Sequence, residues 1–187
     1  MRKTILCSLV LLMTLILIGC AGIGATQKVS DNAKPYVKDW HAFEDQGTNF
    51  KVSTIDAQDG FLVISGAFRY EYMDWMMSRK DIALKVFDRA IPGYVKQVAP
   101  LCSSESSLKG LNIVLKVPVV INEDLYRREL ACKKLNVGYC HESPRRETYF
   151  QYMVDKKTAE TYSRFEINTT TLKEKMAILI EDKERIQ

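Results

Sequence analysis

The clearest pattern in the chain is an alternation of apolar and polar residues over positions 111–121. Every second residue there is leucine, isoleucine or valine, which is typical of a strand with one buried face. Pro118 lies on the opposite face and favours an edge strand or a bulge, because proline cannot donate a ladder hydrogen bond. The stretch is therefore predicted as a half-buried strand.

Two earlier stretches, 50–56 and 61–70, are also predicted as strands. The Asp59-Gly60 dipeptide between them predicts a hairpin, because both central positions of its tight turn need positive φ. The second stretch is apolar on both faces, so we expect it in the interior of a sheet.

From Asp74 the apolar residues recur at spacings of three, four and seven, which predicts an amphipathic helix. Ser78 and Asp81 have the spacing of a capping box and could start this helix. Pro92-Gly93 is expected to end it, because proline lacks the backbone donor that a helix needs. Residues 94–99 would then form a further short turn of helix.

A second helix is predicted over residues 123–136, directly after the long strand. Asn122 has the place of an N-cap, and acidic residues fill the first turn, where the helix dipole favours them. Gly138 is the expected stop.

The C-terminal part is predicted as two strands and a helix. Residues 147–154 and 161–168 both alternate, and 155–160 would join them as a hairpin loop. Thr171 and Glu174 then form a capping box for a last helix. The apolar face of that helix would carry Leu172, Met176, Leu179, Ile180 and Ile186.

The order of these elements predicts an α+β fold. We expect a mostly antiparallel sheet of about five strands, with about three helices packed on one face.

The first twenty residues follow a different pattern. Arg2 and Lys3 precede an apolar run over positions 5–18, which ends in Gly19-Cys20. A run of this length suits a secretory signal peptide and is short for a permanent membrane-spanning helix.

The end of this run, Leu17-Ile18-Gly19-Cys20, resembles the lipobox of bacterial lipoproteins. The resemblance implies cleavage before Cys20 and attachment of fatty acids such as palmitate to that residue. Three acyl chains would result, and stable anchoring takes at least two. An uncleaved anchor or an ordinary signal peptide cut nearby is the alternative.

The resemblance also implies a location in the cell envelope. Ala21 follows the cysteine, where an aspartate favours the inner membrane of Gram-negative bacteria, so we expect the outer membrane, facing the periplasm. In a Gram-positive host the same anchor would lie on the outside of the single membrane.

Three regions follow from these patterns: a signal peptide over 1–19, a lipidated tether over 20–45 and one α+β domain over 46–187. A flexible tether of this length has a root-mean-square span of about 28 Å. Tyr36, Trp40 and Phe43 interrupt its polar composition. They either dock onto the domain or lie at the membrane interface.

Charge excludes a nucleic-acid partner. Loss of the leader removes Arg2 and Lys3 from the 27 basic residues and none of the 23 acidic ones, which leaves a net charge of +2. No basic stripe compensates for this near balance. Basic pairs do recur, at Arg127-Arg128, Lys133-Lys134, Arg145-Arg146 and Lys156-Lys157. They are interpreted as solvated faces, with an anionic lipid surface as the alternative.

Five cysteines are present, and three remain once Cys7 leaves with the leader and Cys20 carries lipid. In an oxidising compartment we expect one disulfide and one spare thiol. Cys132–Cys140 is the first choice because its loop is short, and a bond from Cys102 to either residue is the alternative.

No catalytic motif is found, so we expect no enzyme and no cofactor. A nucleophilic pair of Cys140 and His141 is disfavoured, because neighbouring residues in a strand point to opposite sides. Cys132, Cys140, His141 and Glu142 lack a familiar zinc spacing, and no metal site is assigned to them.

The run Met73, Met76 and Met77 would share one face of a helix and could offer soft sulfur ligands to Cu(I). Packing in the core is the preferred interpretation of these methionines. The sequence therefore predicts a non-catalytic envelope lipoprotein that binds an envelope protein or supports an assembly. The alternative is a periplasmic module that binds a small ligand or Cu(I).

Overall fold

The computed structural model of the chain describes residues 28–102, 107–136 and 138–183. Within these residues the protein has an α+β fold of one mixed six-stranded sheet and four α-helices. The α+β class predicted from the sequence pattern is confirmed. None of the described helices is both long and apolar enough to cross a membrane.

The strands are β1 (Phe50–Gln58), β2 (Phe61–Phe68), β3 (Tyr72–Met73), β4 (Gly110–Val120), β5 (Arg145–Asp155) and β6 (Ala177–Lys183). The helices are α1 (Arg79–Cys102), α2 (Glu123–Lys134), α3 (Lys156–Ser163) and α4 (Thr169–Lys175), and a short 3-10 helix spans Trp40–Phe43.

The sheet has the order β1-β2-β4-β5-β6, and the short β3 pairs with the end of β4. Three of its pairings are antiparallel, whereas β4 runs parallel to both β2 and β3. A parallel pair needs a crossover connection, and α1 supplies it between β2 and β4. The mixed sheet follows from this crossover.

The predicted β1–β2 hairpin is confirmed, with Gln58 opposite Phe61. Asp59 and Gly60 have φ of 54° and 86°, as the tight turn requires. β2 lies between β1 and β4, which agrees with its apolar composition.

Pro118 lies in an interior strand, so the expectation that it marks an edge is wrong. Its position explains how the sheet accepts it. The pairing of β2 with β4 ends at Lys116, and that of β3 with β4 begins at Val119. Pro118 therefore falls in the gap between two partners on that side of β4.

α1 covers one face of the sheet and runs through both Pro92 and Pro100, so the predicted end at Pro92-Gly93 is wrong. An interior proline costs a helix about 3 kcal/mol. Complete burial of one large aliphatic side chain contributes about 1.5–3 kcal/mol. Ile91, Val95 and Val98 are all completely buried. The free energy gained by their burial outweighs the cost of the lost hydrogen bond. The second half of α1 therefore stays helical.

The core lies between α1 and the sheet. Phe87 and Tyr152 are fully buried with ring centres 6.3 Å apart, and the Tyr152 hydroxyl donates to the Ala83 carbonyl at 2.8 Å. α3 and α4 add buried residues such as Tyr162 and Leu172 to the same apolar cluster.

The predicted hairpin of 155–160 and strand of 161–168 are wrong, because residues 156–163 form α3. The Asp155 side chain caps this helix by accepting from the Thr158 amide at 2.9 Å. Ala159 and Tyr162 are buried on its inner face. Phe165, which follows the helix, is exposed and has a positive φ.

The predicted C-terminal helix is only partly correct. α4 ends at Lys175, and residues 177–183 form β6 against β5. Asn168 caps α4 by accepting from the Thr171 amide at 2.9 Å. Leu179 and Ile180 therefore do not share one helix face, because neighbouring strand residues point to opposite faces.

Residues 28–45, predicted as the end of the tether, pack against the domain. The Ile55 amide donates to the Lys28 carbonyl at 2.7 Å, so residues 28–30 pair with β1 at Ile55. Phe43 is buried, and Tyr94 donates its hydroxyl to the Phe43 carbonyl. Trp40 lies beneath the Lys28 ammonium, 3.6 Å from the ring centre.

Candidate functional site: a disulfide-braced arm

Residues 123–144 connect β4 to β5 and form an arm at the end of the sheet, of which residue 137 lies outside the described residues. α2 is the first half of this arm. As predicted, Asn122 caps the helix, and its Oδ1 accepts from the Leu125 amide at 3.0 Å. α2 stops at Lys134, and Asn136 has φ of 53°, so the turn comes before the expected stop at Gly138.

The predicted disulfide between Cys132 and Cys140 is confirmed, with the two Cα atoms 5.7 Å apart. It joins α2 to the returning half of the arm. Cys102 is buried at the last position of α1. Cys20, the predicted lipid attachment site, lies outside the described residues, as do the signal peptide and Cys7.

Glu129 is the single residue of α2 that is buried, with 2 % of its surface exposed. Arg145 of β5 grips its carboxylate with two hydrogen bonds, Nη1 to Oε2 at 2.9 Å and Nη2 to Oε1 at 3.1 Å. The Ser143 amide and hydroxyl donate to Oε2 at 2.8 and 3.0 Å. Lys133 completes the cluster from the next turn of α2.

This ring of donors controls the ionisation of Glu129. The Arg145 guanidinium above all, with Lys133 and Ser143, holds the pKa of the carboxyl far below its usual range although burial opposes this. Hydrogen bonds to the charged form of an acid favour that form. Glu129 is thus an anion near neutral pH that fastens the arm, and a poor proton acceptor.

Arg145 also contacts the segment between β2 and α1, where its Nε donates to Glu71 Oε1 at 3.1 Å. Arg146 forms a second link to the same segment, with Nη2 2.6 Å from Asp74 Oδ2. These contacts join the arm, the start of β5 and the segment before α1 in one polar network.

A groove of about 310 Å³ lies between α2 and the returning chain. Its walls carry Leu125, Arg128, Glu129, Cys132, Tyr139, His141 and Glu142. Leu125 is 40 % and Tyr139 is 77 % exposed, and the Tyr139 ring meets His141 edge-on with ring centres 5.2 Å apart. The apolar side chains of Leu125 and Tyr139 are thus exposed to solvent on an arm that the disulfide and the Glu129 cluster hold in place.

The arm and its groove are electrically balanced, since 123–144 contains four basic and four acidic residues. Arg127 is neutralised by Glu123 at 2.8 Å and Lys133 by Glu129 at 2.5 Å. Arg128 forms no ion pair with a described residue and lies in the groove wall. The groove therefore offers apolar contact and one unneutralised guanidinium.

The other residues singled out from the sequence do not join this groove into a catalytic site. Cys140 is held in the disulfide and has no thiolate to offer. Met73 lies in β3 and Met76 in an exposed turn, so the expected shared helix face is wrong. Among the described residues no three His, Cys, Asp or Glu side chains are close enough to hold a metal ion.

Sequence reasoning missed the Glu129 cluster. The interpretation of the basic pairs as solvated faces fails for Arg145 and Arg146, whose side chains are 19 % and 18 % exposed. The four-residue spacing of Glu129 and Lys133 was a usable signal for a helical ion pair. The partners Ser143 and Arg145 could not be found, because the fold brings them to Glu129 from another element.

Comparisons with protein-family models, with curated proteins and with solved structures gave no match for this chain. The site is therefore interpreted from its own geometry.

Proposed function

We propose that this protein is a non-catalytic, lipid-anchored lipoprotein of the cell envelope that binds another envelope protein through the groove of the arm. The observation that carries the binding role is the groove itself, where Leu125 and Tyr139 stay exposed in a frame braced by a disulfide and the Glu129 cluster. A preorganised surface loses little conformational freedom on binding, which favours affinity.

The chemistry of the groove favours a protein over a lipid surface. The balance of four basic and four acidic residues on the arm gives little attraction to anionic headgroups. A concave groove also suits a protruding side chain better than a flat bilayer. We expect the partner to insert an apolar side chain between Leu125 and Tyr139 and to place a carboxylate near Arg128.

The anchor is proposed from the lipobox, with Cys20 as the lipidated residue. Seven residues separate Cys20 from Lys28, whose carbonyl accepts from the Ile55 amide of the domain. An extended chain of that length reaches at most about 25 Å. The membrane that holds the anchor would thus lie close to the domain. The outer membrane, on its periplasmic side, is the proposed location.

The anchor is tested by fractionating cells that express the full chain. The unmodified chain should partition with membranes and show the mass of an acylated N-terminal cysteine. The Cys20→Ser variant should lose both properties. An unlipidated native chain would contradict the lipoprotein assignment.

The binding role is tested with a photo-crosslinking amino acid at position 139 of the full chain in cells. We expect one reproducible protein adduct, weakened several-fold by Leu125→Asp. The same crosslinker at exposed Lys34 is the control and should not give that adduct. Absence of any adduct from position 139 at native expression would overturn the binding role.

A small-ligand module is the second candidate, because about 310 Å³ is at the lower end of small-molecule sites. Native mass spectrometry of the purified chain, with and without Cu(I), separates this candidate from the first. A bound small molecule would favour it.

A further inference from the structure

The two edge strands of the sheet, β1 and β6, differ in how far other residues cover their outer edges. β1 is covered along part of its outer edge, because the Ser30 amide donates to the Ile55 carbonyl at 2.9 Å and Val29 forms a bridge with Ile55. The register of β1 also shifts between Val52 and Thr54. Bulges and covering segments are the usual ways in which proteins protect a sheet edge.

Among the described residues, neither protection is found at the outer edge of β6. Its register against β5 runs without a shift from Ala177 to Lys183, and no described residue pairs with its other side. The strand contains no proline or glycine. Leu179 is 48 % and Ile180 is 39 % exposed, and as neighbours they point to opposite faces. A regular edge of this kind is a template for another strand.

We propose that β6 pairs antiparallel with β6 of a second copy of this chain, about a twofold axis at Leu179. Symmetric dimers bury the same surface patch on both copies, so the strand must be complementary to itself. With the axis at Leu179, this residue faces its own copy. Ile178 then faces Ile180, and Ala177 faces Glu181.

The sequence of β6 favours this partner and this register. Apolar residues meet across the axis, and the carboxylate of Glu181 faces a methyl group. An axis at Glu181 would place two carboxylates directly opposite each other, which destabilises a strand pair. The charge pattern therefore excludes an axis at Glu181 and places the axis in the apolar segment 177–180.

The oligomeric state of the mature full chain in detergent, measured by native mass spectrometry, tests the pairing. We expect a dimer for the unmodified chain. Leu179→Lys and Leu179→Glu should each weaken it about tenfold or more, because each places like charges at the axis. An equimolar mixture of the two variants should restore pairing as a mixed dimer, since opposite charges then meet.

Leu130→Lys is the matched control, because Leu130 is a similarly exposed leucine on α2. It should leave the dimer intact. Circular dichroism of both Leu179 variants should show an unchanged fold, since the side chain is half exposed.

Three results would overturn the proposal. One is a monomeric unmodified chain at about 100 µM. Another is a dimer that survives both Leu179 variants, and the third is a mixture of variants that does not pair. A different result would assign the edge to another protein. In that case the unmodified chain is monomeric, a foreign protein crosslinks to it, and the Leu179→Lys variant loses this crosslink. The edge would then bind an extended segment of that protein.

Discussion

The two longest helices, α1 and α2, are held to the protein by opposite kinds of interaction. α1 buries eleven residues against the sheet, nearly all of them apolar. α2 buries one residue, and that residue is the anion Glu129. The apolar contacts of α1 belong to the global core, whereas α2 depends on a local ion cluster and a disulfide. Because the ion cluster and the disulfide hold α2 in place, the arm can keep apolar side chains exposed and still retain its shape.

The largest expected effect is on the α1 side. Phe87→Ala removes a completely buried ring from between α1 and the sheet. Large cavities of this kind cost about 3–5 kcal/mol. Urea unfolding followed by circular dichroism should show the loss across the whole protein, with Leu130→Ala as the surface control. An equal loss in both variants would contradict the assignment of this core.

A smaller and local effect is expected from Glu129→Gln. The neutral amide leaves the Arg145 charge without its buried partner, and breaking such a pair costs about 3 kcal/mol. Hydrogen exchange should accelerate in residues 123–134 and stay unchanged in the amides of β4 and α1.

Glu123→Gln is the control for that experiment, because it removes an exposed ion pair with Arg127 on the same helix. Exposed pairs contribute about 0–1 kcal/mol. If Glu129→Gln slowed or sped exchange in α1 as much as in α2, the two helices would not be independent.

The smallest effect is a pH dependence of the arm. The pKa of Glu129 in the folded protein is lowered, chiefly by Arg145, from the ordinary value of 4.5. The contribution of the cluster is therefore complete above pH 4.5 and is lost as the pH falls towards the lowered folded-state value.

Hydrogen exchange of α2 between pH 6 and pH 3 measures this, after correction for intrinsic exchange rates. Protection of α2 should decline at the acid end in the unmodified chain. The Glu129→Gln variant lacks the titrating group, so its α2 protection should not show that decline. Parallel profiles for the two proteins would rule out Glu129 as the source.

Local signals predicted the first two strands, β4 and the start of α2, because turn, pattern and cap agree there. Gln58, Asp59, Gly60 and Phe61 form the hairpin as expected. The errors arose where tertiary contacts outweigh local preference. Pro92 is a helix breaker in isolation, yet the apolar residues around it are buried by the sheet. Alternation over 161–168 suggested a strand, but Tyr162 is buried as part of a helix.

The sequence by itself determined the α+β class, the hairpin and the Asn122 cap, since each depends on local pattern and neighbouring residues. It made Cys132–Cys140 the first choice of disulfide because the loop is short, and the structure decided for this bond over one from Cys102. Only the tertiary structure decided that Glu129 is the buried link of the arm. Its partners Ser143 and Arg145 come from beyond the disulfide loop, and burial makes their hydrogen bonds decisive. The tertiary structure also decided that residues 177–183 form an edge strand, because β5 supplies the hydrogen-bond partners that an isolated segment lacks.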